Sequence, residues 1–324
     1  MSFWILILDC NTSLRKIHGL FLSPWRRRTL SIGPCGLRNV SSRSSEVSTR
    51  YTITSCPPTD TETLRTIVEK HVRSLDRFLQ AKPVAAHTLR AFRQVHDAVP
   101  VDTPIILDSG CGTGRSSLHL GRLYPDAVVL GIDRSVARLS KNPNFQSSVA
   151  SDDGPSDDAL LVRQAADNVW LVRAELVDFW RCCIDAGWES SIAQHFVLYP
   201  NPYPKKSRIK SRLYAHPGFP LLLRLGGDRL TVRSNWRTYL DEFSAAVHTA
   251  AACLSTTPDD GDTRDEVDGK TGVYGKNYAQ RYLASTQEEA KLLDPTLIPW
   301  TNFEEKYHNV GERTYELVLK PISK

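Results

Sequence analysis

The chain has 324 residues, 41% of them hydrophobic, and a formal net charge of +5. This length suits one large domain, or one domain with appendages. The N-terminal apolar run, Phe3 to Leu8, is far shorter than the roughly 18 residues of a membrane helix, so no membrane span is predicted. Seven cysteines without paired spacing indicate reduced, structural thiols, and nine histidines in no H-E-x-x-H or Cys/His pattern predict no metal site.

The positive charge is concentrated at the N-terminus. Residues 1–56 carry eight Lys/Arg against two acidic residues, so the rest of the chain is close to neutral. An Arg- and Ser-rich, acid-poor leader is typical of an organelle transit peptide. We expect residues 1–58 to be a transit peptide or a disordered leader. A transit peptide would direct the protein to a mitochondrion or plastid, and without one we expect the cytoplasm or nucleus.

The first predicted elements after the leader are helices. Apolar residues at helical spacing predict a helix from Thr61 to Phe78 and a second over about Ala85 to Val95. A strand (Ile105–Leu107), a glycine-rich turn, a helix (about 115–124) and a strand (127–132) that ends on Asp133 follow. This order is a βαβ unit, which requires parallel strands.

Four further segments predict strands: residues 169–172, 196–199, 230–232 and 315–319, the last alternating like an edge strand. The fold class expected is α/β, a Rossmann-like doubly wound sheet, mostly parallel with an antiparallel C-terminal edge strand. One domain over residues 59–324 accounts for all these elements.

The glycine-rich turn, Asp108-Ser-Gly-Cys-Gly-Thr-Gly114, lies where a strand becomes a helix. The spacing differs from the dinucleotide pattern G-x-G-x-x-G, and the leading acid would repel a pyrophosphate. It resembles the loop of Rossmann-like methyltransferases that bind S-adenosylmethionine. The resemblance implies a methyltransferase domain whose Asp108 faces the cationic amino-acid end of the cofactor, while Asp133 takes the ribose hydroxyls. Residues expected at the cofactor are Asp108, Ser109, Gly110, Gly112, Gly114, Asp133, Arg134, Glu175 and Asn201. Glu175 either touches the adenosine or is an ordinary strand-end carboxylate.

A second motif spans residues 199–212, where a proline-locked turn runs into five cations. Asn201-Pro-Tyr-Pro-Lys-Lys206 resembles the Asp-Pro-Trp-Pro-Lys-Lys turn of the tRNA (guanine-N7)-methyltransferases. Ser234-Asn235 stands where that family has Thr-Asp, and Thr301-Asn-Phe-Glu304 is similar to its C-terminal Thr-x-Phe-Glu. The resemblance implies a divergent member that methylates N7 of a guanine in tRNA.

Roles follow from that resemblance. N7 of guanine carries a lone pair and no proton, so methylation needs no general base and depends on orientation. Asn201 is the expected catalytic residue, as an acceptor for the N–H edge of the base. Lys205, Lys206, Lys210 and Arg212 are expected on tRNA phosphates, and Asn235, Thr301 and Glu304 around the guanine. No motif indicates an auxiliary subunit, and the sequence does not exclude one.

Asn201 and Asn235 replace two family aspartates, which keeps alternatives open. An amide supplies no negative charge to a developing cation, and the loss could reach about 10²-fold in rate. Asn-Pro-Tyr-Pro also resembles a rearranged Asn-Pro-Pro-Tyr, the turn of methyltransferases that act on exocyclic amino groups such as N6 of adenine. A third alternative is a catalytically weak RNA-binding paralogue.

Overall fold

The computed structural model describes residues 58–100, 102–146, 161–255 and 289–321. The predicted leader therefore lies outside the described residues, except for Pro58. No helix in these ranges is long and apolar enough to cross a membrane.

The described strands form one eight-stranded sheet in the order β3-β4-β2-β1-β5-β6-β8-β7. The strands are β1 (Ile105–Ser109), β2 (Val128–Asp133), β3 (Val162–Ala166), β4 (Val169–Arg173), β5 (Ile192–Leu198), β6 (Arg229–Ser234), β7 (Lys291–Leu292) and β8 (Tyr315–Leu319).

The five central strands are parallel, and β3, β8 and β7 pair antiparallel with their neighbours. The predicted sheet, mostly parallel with an antiparallel C-terminal strand, is confirmed. Two strands were not predicted. β3 lies at one edge and is only partly buried, and β7 is two exposed residues outside β8. Neither short segment has the apolar run by which the buried strands were recognised.

Helices cover both faces of the sheet. They are α1 (Thr61–Arg73), α2 (Leu75–Ala81), α3 (Ala86–Ala98), α4 (Arg115–Leu123), α5 (Val136–Leu139), α6 (Pro143–Gln146), α7 (Leu176–Asp185), α8 (Phe219–Arg224), α9 (Arg237–Ser255) and α10 (Asn302–Asn309).

The helix expected over residues 61–78 is two helices. Its first turn is capped, since the Asp60 side chain accepts from the backbone N–H of Thr63. The chain then leaves helical geometry at Ser74 (φ −104°, ψ 12°) before α2 begins. Continuous apolar spacing hid this break.

Strand β1 shows how the core is divided. Ile105 and Leu107 belong to the cluster that contains residues of α1, α3, α7 and α9, whereas Ile106 belongs to a second cluster with Leu120 of α4. Because alternate side chains of a strand point to opposite faces, β1 is buried on both. Strands β4, β2, β1 and β5 are parallel, so their carboxyl ends meet at one edge of the sheet, where open α/β sheets bind ligands.

Candidate active site

The glycine-rich turn follows β1 and is tied to β2, because the backbone N–H groups of Gly110 and Cys111 both donate to the Ile132 carbonyl. Gly112 has φ +63°, and a Cβ built on it would meet nothing within 4 Å. Gly114 has φ +77°, but its Cβ would lie 2.6 Å from a Leu171 side-chain carbon of β4. The second glycine thus borders open space, while the third allows α4 to pack closely on the sheet.

Asp108 does not occupy the position expected of it. It is 1% exposed, and its Oδ2 accepts from the hydroxyls of Ser116 (2.6 Å) and Ser117 (2.7 Å) in the first turn of α4. Burial raises its pKa to about 6, against the two serine hydrogen bonds that lower it. Asp108 is therefore a buried anchor between β1 and α4, and it does not line the cavity described below.

Asp133 ends β2 beside the glycine turn, as expected. Its Oδ2 accepts from the Gly112 N–H (3.0 Å), and its Oδ1 accepts from the Ser135 N–H (2.8 Å). Arg138 of α5 lies 3.0 Å from the same carboxylate. These partners fix the orientation of the carboxylate at the strand end.

A cavity of about 460 Å³ runs along the carboxyl ends of β4, β2, β1 and β5. It brings together six of the predicted site residues: Ser109, Gly110, Asp133, Arg134, Glu175 and Asn201. Arg134 and Glu175 also form an ion pair of 3.3 Å at its wall. A neighbouring cavity of about 100 Å³ is lined by Gly112 and Thr301, and Tyr199 borders both cavities.

The Ser109 side chain is held by a buried chain of hydrogen bonds. Trp180 Nε1–H donates to its hydroxyl oxygen (3.0 Å), and that oxygen lies 2.8 Å from Nε2 of His195. Nδ1 of His195 is 3.1 Å from the Leu225 carbonyl, which only accepts, so Nδ1 carries the proton and Nε2 accepts from Ser109. Burial lowers the pKa of His195 to about 4, so the ring is neutral at pH 7. This chain fixes the end of β1 at the cavity.

The turn after β5 is strained. Tyr199 (φ 54°) and Tyr203 (φ 41°) both have left-handed backbone, which costs a non-glycine residue about 1–2 kcal/mol. Asn201 Oδ1 accepts from the Tyr203 N–H (3.2 Å), and both residues line the cavity. Such strain persists only where the surroundings hold it, and it is concentrated at functional sites.

Arg212 helps to hold this strained turn in place, whereas the sequence predicts that it contacts a tRNA phosphate. It is 1% exposed, and its guanidinium donates to the Tyr203 carbonyl (3.3 Å), to Tyr214 Oη (3.0 Å) and to Glu242 Oε2 (2.6 Å). A phosphate in solvent cannot reach a guanidinium that is buried and paired in this way. Arg212 is therefore a clamp on the turn and not an RNA contact.

The other cations of this segment face solvent. Lys205, Lys206 and Lys210 are exposed, the last two on a 3₁₀ helix over residues 206–211. Arg208 lies over the Tyr203 ring, with its Cζ 4.9 Å from the ring centre. The three lysines thus form an accessible basic surface beside the cavity.

The C-terminal motif is mostly structural. Thr301 caps α10 by accepting from the Glu304 N–H (3.0 Å). Glu304 is 3% exposed, pairs with Arg233 (3.0 Å) and accepts from the Trp300 N–H (2.8 Å). The pattern Thr-x-x-Glu here forms a helix cap and a buried brace. Glu304 does not line the cavity that contains Asn201, and its place around a guanine stays a prediction.

Asn235 is also outside the cavity. It follows β6, and its side-chain amide donates to Glu312 at 3.4 Å. The structure thus separates the two asparagines, since Asn201 lines the cavity and Asn235 does not.

Sequence reasoning missed several wall residues, among them Lys82, Arg138, Tyr199 and His216. Lys82 and His216 come from the helical region before β1 and from the segment before α8, and no local motif marks either. Arg138 lies five residues after Asp133, and its closeness in sequence to that strand-end acid is a signal that could have found it. Within the described residues no group of three or more His, Cys, Asp or Glu could hold a metal ion.

Comparison with known proteins was consistent with this geometry. A family model described as "Putative methyltransferase" matches residues 102–317, more than half of the chain. A tRNA (guanine-N(7)-)-methyltransferase of Mycobacterium ulcerans is 26% identical over 68% of this chain and 63% of its own length. One of Christiangramia forsetii is 28% identical over 35% of this chain and 42% of its own. The chain thus spans less than two thirds of the length of these curated relatives.

A solved structure described as an antibiotic-related methyltransferase aligns over 71% of this chain and 94% of its own, at 11% identity and a TM-score of 0.39. That likeness is too weak to bear on the assignment, which depends on the family match. The chain belongs to this methyltransferase family.

Proposed function

We propose that this methyltransferase transfers a methyl group from S-adenosylmethionine to N7 of a guanine in tRNA. One observation carries the proposal: Asn201 and Tyr203 of the proline-locked turn line the same cavity as Gly110 and Asp133. A cofactor-type turn and a base-binding turn therefore share one space. The two relatives named above, both tRNA (guanine-N(7)-)-methyltransferases, support the choice of substrate.

The residues present suit the cofactor. The cavity of about 460 Å³ is within the range of about 300–1,000 Å³ of small-molecule sites. Gly110 and Gly112 leave open space where side chains would stand, so backbone could approach a ligand closely. Ser109, Asp133, Arg134 and Glu175 would hold the nucleoside and amino-acid parts. S-adenosylmethionine supplies an electrophilic methyl carbon on a sulfonium.

The protein contributes orientation rather than proton transfer. N7 of guanine already carries the attacking lone pair, so a general base is not required. Tyr203 offers a flat ring for the base, held by Arg212 through the Tyr203 carbonyl. Asn201 would accept from the N–H edge of the base through its Oδ1, which already accepts from the Tyr203 backbone N–H and is thereby kept beside that ring.

The exposed cations would bind the RNA backbone. Lys205, Lys206 and Lys210 face solvent next to the cavity. Each phosphate neutralised releases counterions, so binding weakens with salt. Because residues 57–324 are close to neutral overall, this local group of lysines would attract a polyanion to the cavity entrance. Thr301 lines the smaller cavity and would border the substrate there.

The proposal extends to the domain boundaries and the compartment. Residues 59–324 would form the catalytic domain, and residues 1–58 would be a transit peptide that directs the protein to a mitochondrion or plastid. Fusing residues 1–58 to a fluorescent reporter tests this directly. Reporter in an organelle supports the transit peptide, and reporter throughout the cytoplasm contradicts it.

Incubation with methyl-labelled S-adenosylmethionine and total RNA, followed by nucleoside analysis, tests the activity. We expect label in N7-methylguanosine from the tRNA fraction. Label in N6-methyladenosine would instead support an exocyclic amino methyltransferase. Cofactor binding without label in any nucleoside would identify an inactive RNA-binding paralogue.

A further inference from the structure

His216 is a wall residue of the large cavity to which no role has been assigned so far. It follows the 3₁₀ turn over residues 213–215 and is half-buried. Its ring meets the Phe78 ring of α2 edge-on, with centres 5.7 Å apart and planes at 90°. This packing fixes the plane of the imidazole at the cavity wall.

The hydrogen bonding of His216 also fixes its tautomer. The backbone N–H of Gly218 donates to Nδ1 (3.0 Å), so Nδ1 holds the lone pair. A neutral imidazole has one proton, which must then be on Nε2. Burial, Lys82 and His71 lower the pKa of His216, against the opposing charge of Glu175, so the ring is neutral at pH 7. Within the described residues Nε2 has no hydrogen-bond partner.

Neighbouring residues show which end of the cavity His216 occupies. A Cβ built on Gly218 would lie 2.7 Å from Val177 Cγ1 and 3.3 Å from His216 Nδ1. Val177 lies in the first turn of α7, two residues after Glu175, and both line the cavity. A fixed N–H donor and a carboxylate acceptor therefore lie at the same end.

A donor beside an acceptor matches one edge of adenine, where the 6-amino group donates and the adjacent ring nitrogen N1 accepts. We propose that His216 Nε2–H donates to N1 of the cofactor's adenine while Glu175 accepts from its 6-amino group. His216 would then be a specificity-determining residue for an adenine nucleoside. The inference rests on the proposed function, because it presupposes S-adenosylmethionine in this cavity.

The experiment measures binding, without turnover, by isothermal titration calorimetry on the full chain. The ligands are S-adenosylhomocysteine and its 1-deaza analogue, in which a C–H replaces N1. The proteins are the wild type, His216→Phe, which keeps a flat ring against Phe78, and the control His71→Phe. Thermal melts verify that each variant is folded.

We expect the 1-deaza analogue to bind about 10-fold more weakly than the parent to the wild type and to His71→Phe, because the Nε2–H loses its acceptor. For His216→Phe we expect the two ligands to bind within about 2-fold of each other, since that donor is absent. An equal 1-deaza penalty in all three proteins overturns the inference.

The outcomes separate this inference from the proposed function. If S-adenosylhomocysteine fails to bind the wild type, the proposed function fails and the inference falls with it. If it binds and the 1-deaza effect does not depend on His216, only the inference fails. An ¹⁵N NMR spectrum of the free protein is a second test. It should show Nε2 of His216 protonated, and a protonated Nδ1 would contradict the assignment.

Discussion

The substitution Arg212→Met should destabilise the protein strongly. Arg212 is 1% exposed, and its partner Glu242 has a side chain only 7% exposed. The variant leaves that carboxylate buried without its cation, and the Tyr203 carbonyl without its guanidinium donors. Removing one partner of a buried ion pair costs about 3–5 kcal/mol. For a domain of this size, that cost corresponds to a fall in melting temperature on the order of 10 °C.

Chemical and thermal unfolding followed by circular dichroism measure this effect. Adding Glu242→Leu to Arg212→Met should recover most of the loss, because no unpaired charge then remains. Lys210→Met is the matched control, since Lys210 is exposed in the same basic segment. It should leave stability unchanged but lower the slope of log affinity for tRNA against log salt by about 0.7–0.9.

One result would refute this reasoning. Suppose that the free energy of unfolding of Arg212→Met lies within about 1 kcal/mol of the wild-type value, far below the cost of a broken buried ion pair. Arg212 would then not be the buried clamp on the turn. A simultaneous fall of about 1 in the salt slope would then show that Arg212 meets a phosphate.

Three further predictions address the glycine turn and the asparagines. Asp108 has its pKa raised to about 6, so its contribution to stability is present below pH 4 and is lost as pH rises to about 6. The wild type should therefore lose on the order of 3 kcal/mol of unfolding free energy between pH 4 and 7 through this group, and Asp108→Asn should not. Unfolding free energies of the two proteins that change in parallel with pH would contradict the prediction. Asn201→Asp should raise the methylation rate about 10- to 100-fold, whereas Asn235→Asp, outside the cavity, should change it little. Gly114→Ala should cost about 2–4 kcal/mol of stability. Gly112→Ala, where a Cβ meets nothing, should cost only about 1–2 kcal/mol for its left-handed backbone and should also weaken S-adenosylhomocysteine binding in calorimetry.

Local motifs predicted the fold, and they predicted the glycine-rich turn after β1 and the acid at the end of β2. The turn after β1 and Asp133 after β2 were found because their spacing is short and each residue type has a steric or electrostatic reason. Parallel pairing then places strand ends at one edge, so Asp133 and Asn201 meet at one cavity although they are far apart in sequence.

Burial could not be predicted for charged residues. Arg212 and Lys210 are two residues apart in one cation run, yet one is buried and the other exposed. The partner that buries Arg212 is Glu242, 30 residues further along the chain. Glu304 shows the same limit, because its partner Arg233 lies on β6. Such pairs depend on tertiary packing, which the spacing of residues along the chain does not encode.

His216 and Lys82 were missed for a related reason. Each is a lone side chain outside the glycine-rich turn after β1 and away from the strand ends, and each lines the cavity from a helical part of the chain. A sequence pattern can indicate a site where neighbours in the chain cooperate, but not where single residues converge from distant elements.

Atom replacement in the substrate tests the central claim most directly. The protein is incubated with methyl-labelled S-adenosylmethionine and tRNA transcripts that contain 7-deazaguanosine in place of guanosine. Matched control transcripts carry 7-deazaadenosine in place of adenosine. The proposed N7 chemistry predicts that 7-deazaguanosine abolishes labelling, because its ring has no lone pair at that position, and that 7-deazaadenosine does not. Undiminished labelling of the 7-deazaguanosine transcript would contradict the proposed reaction.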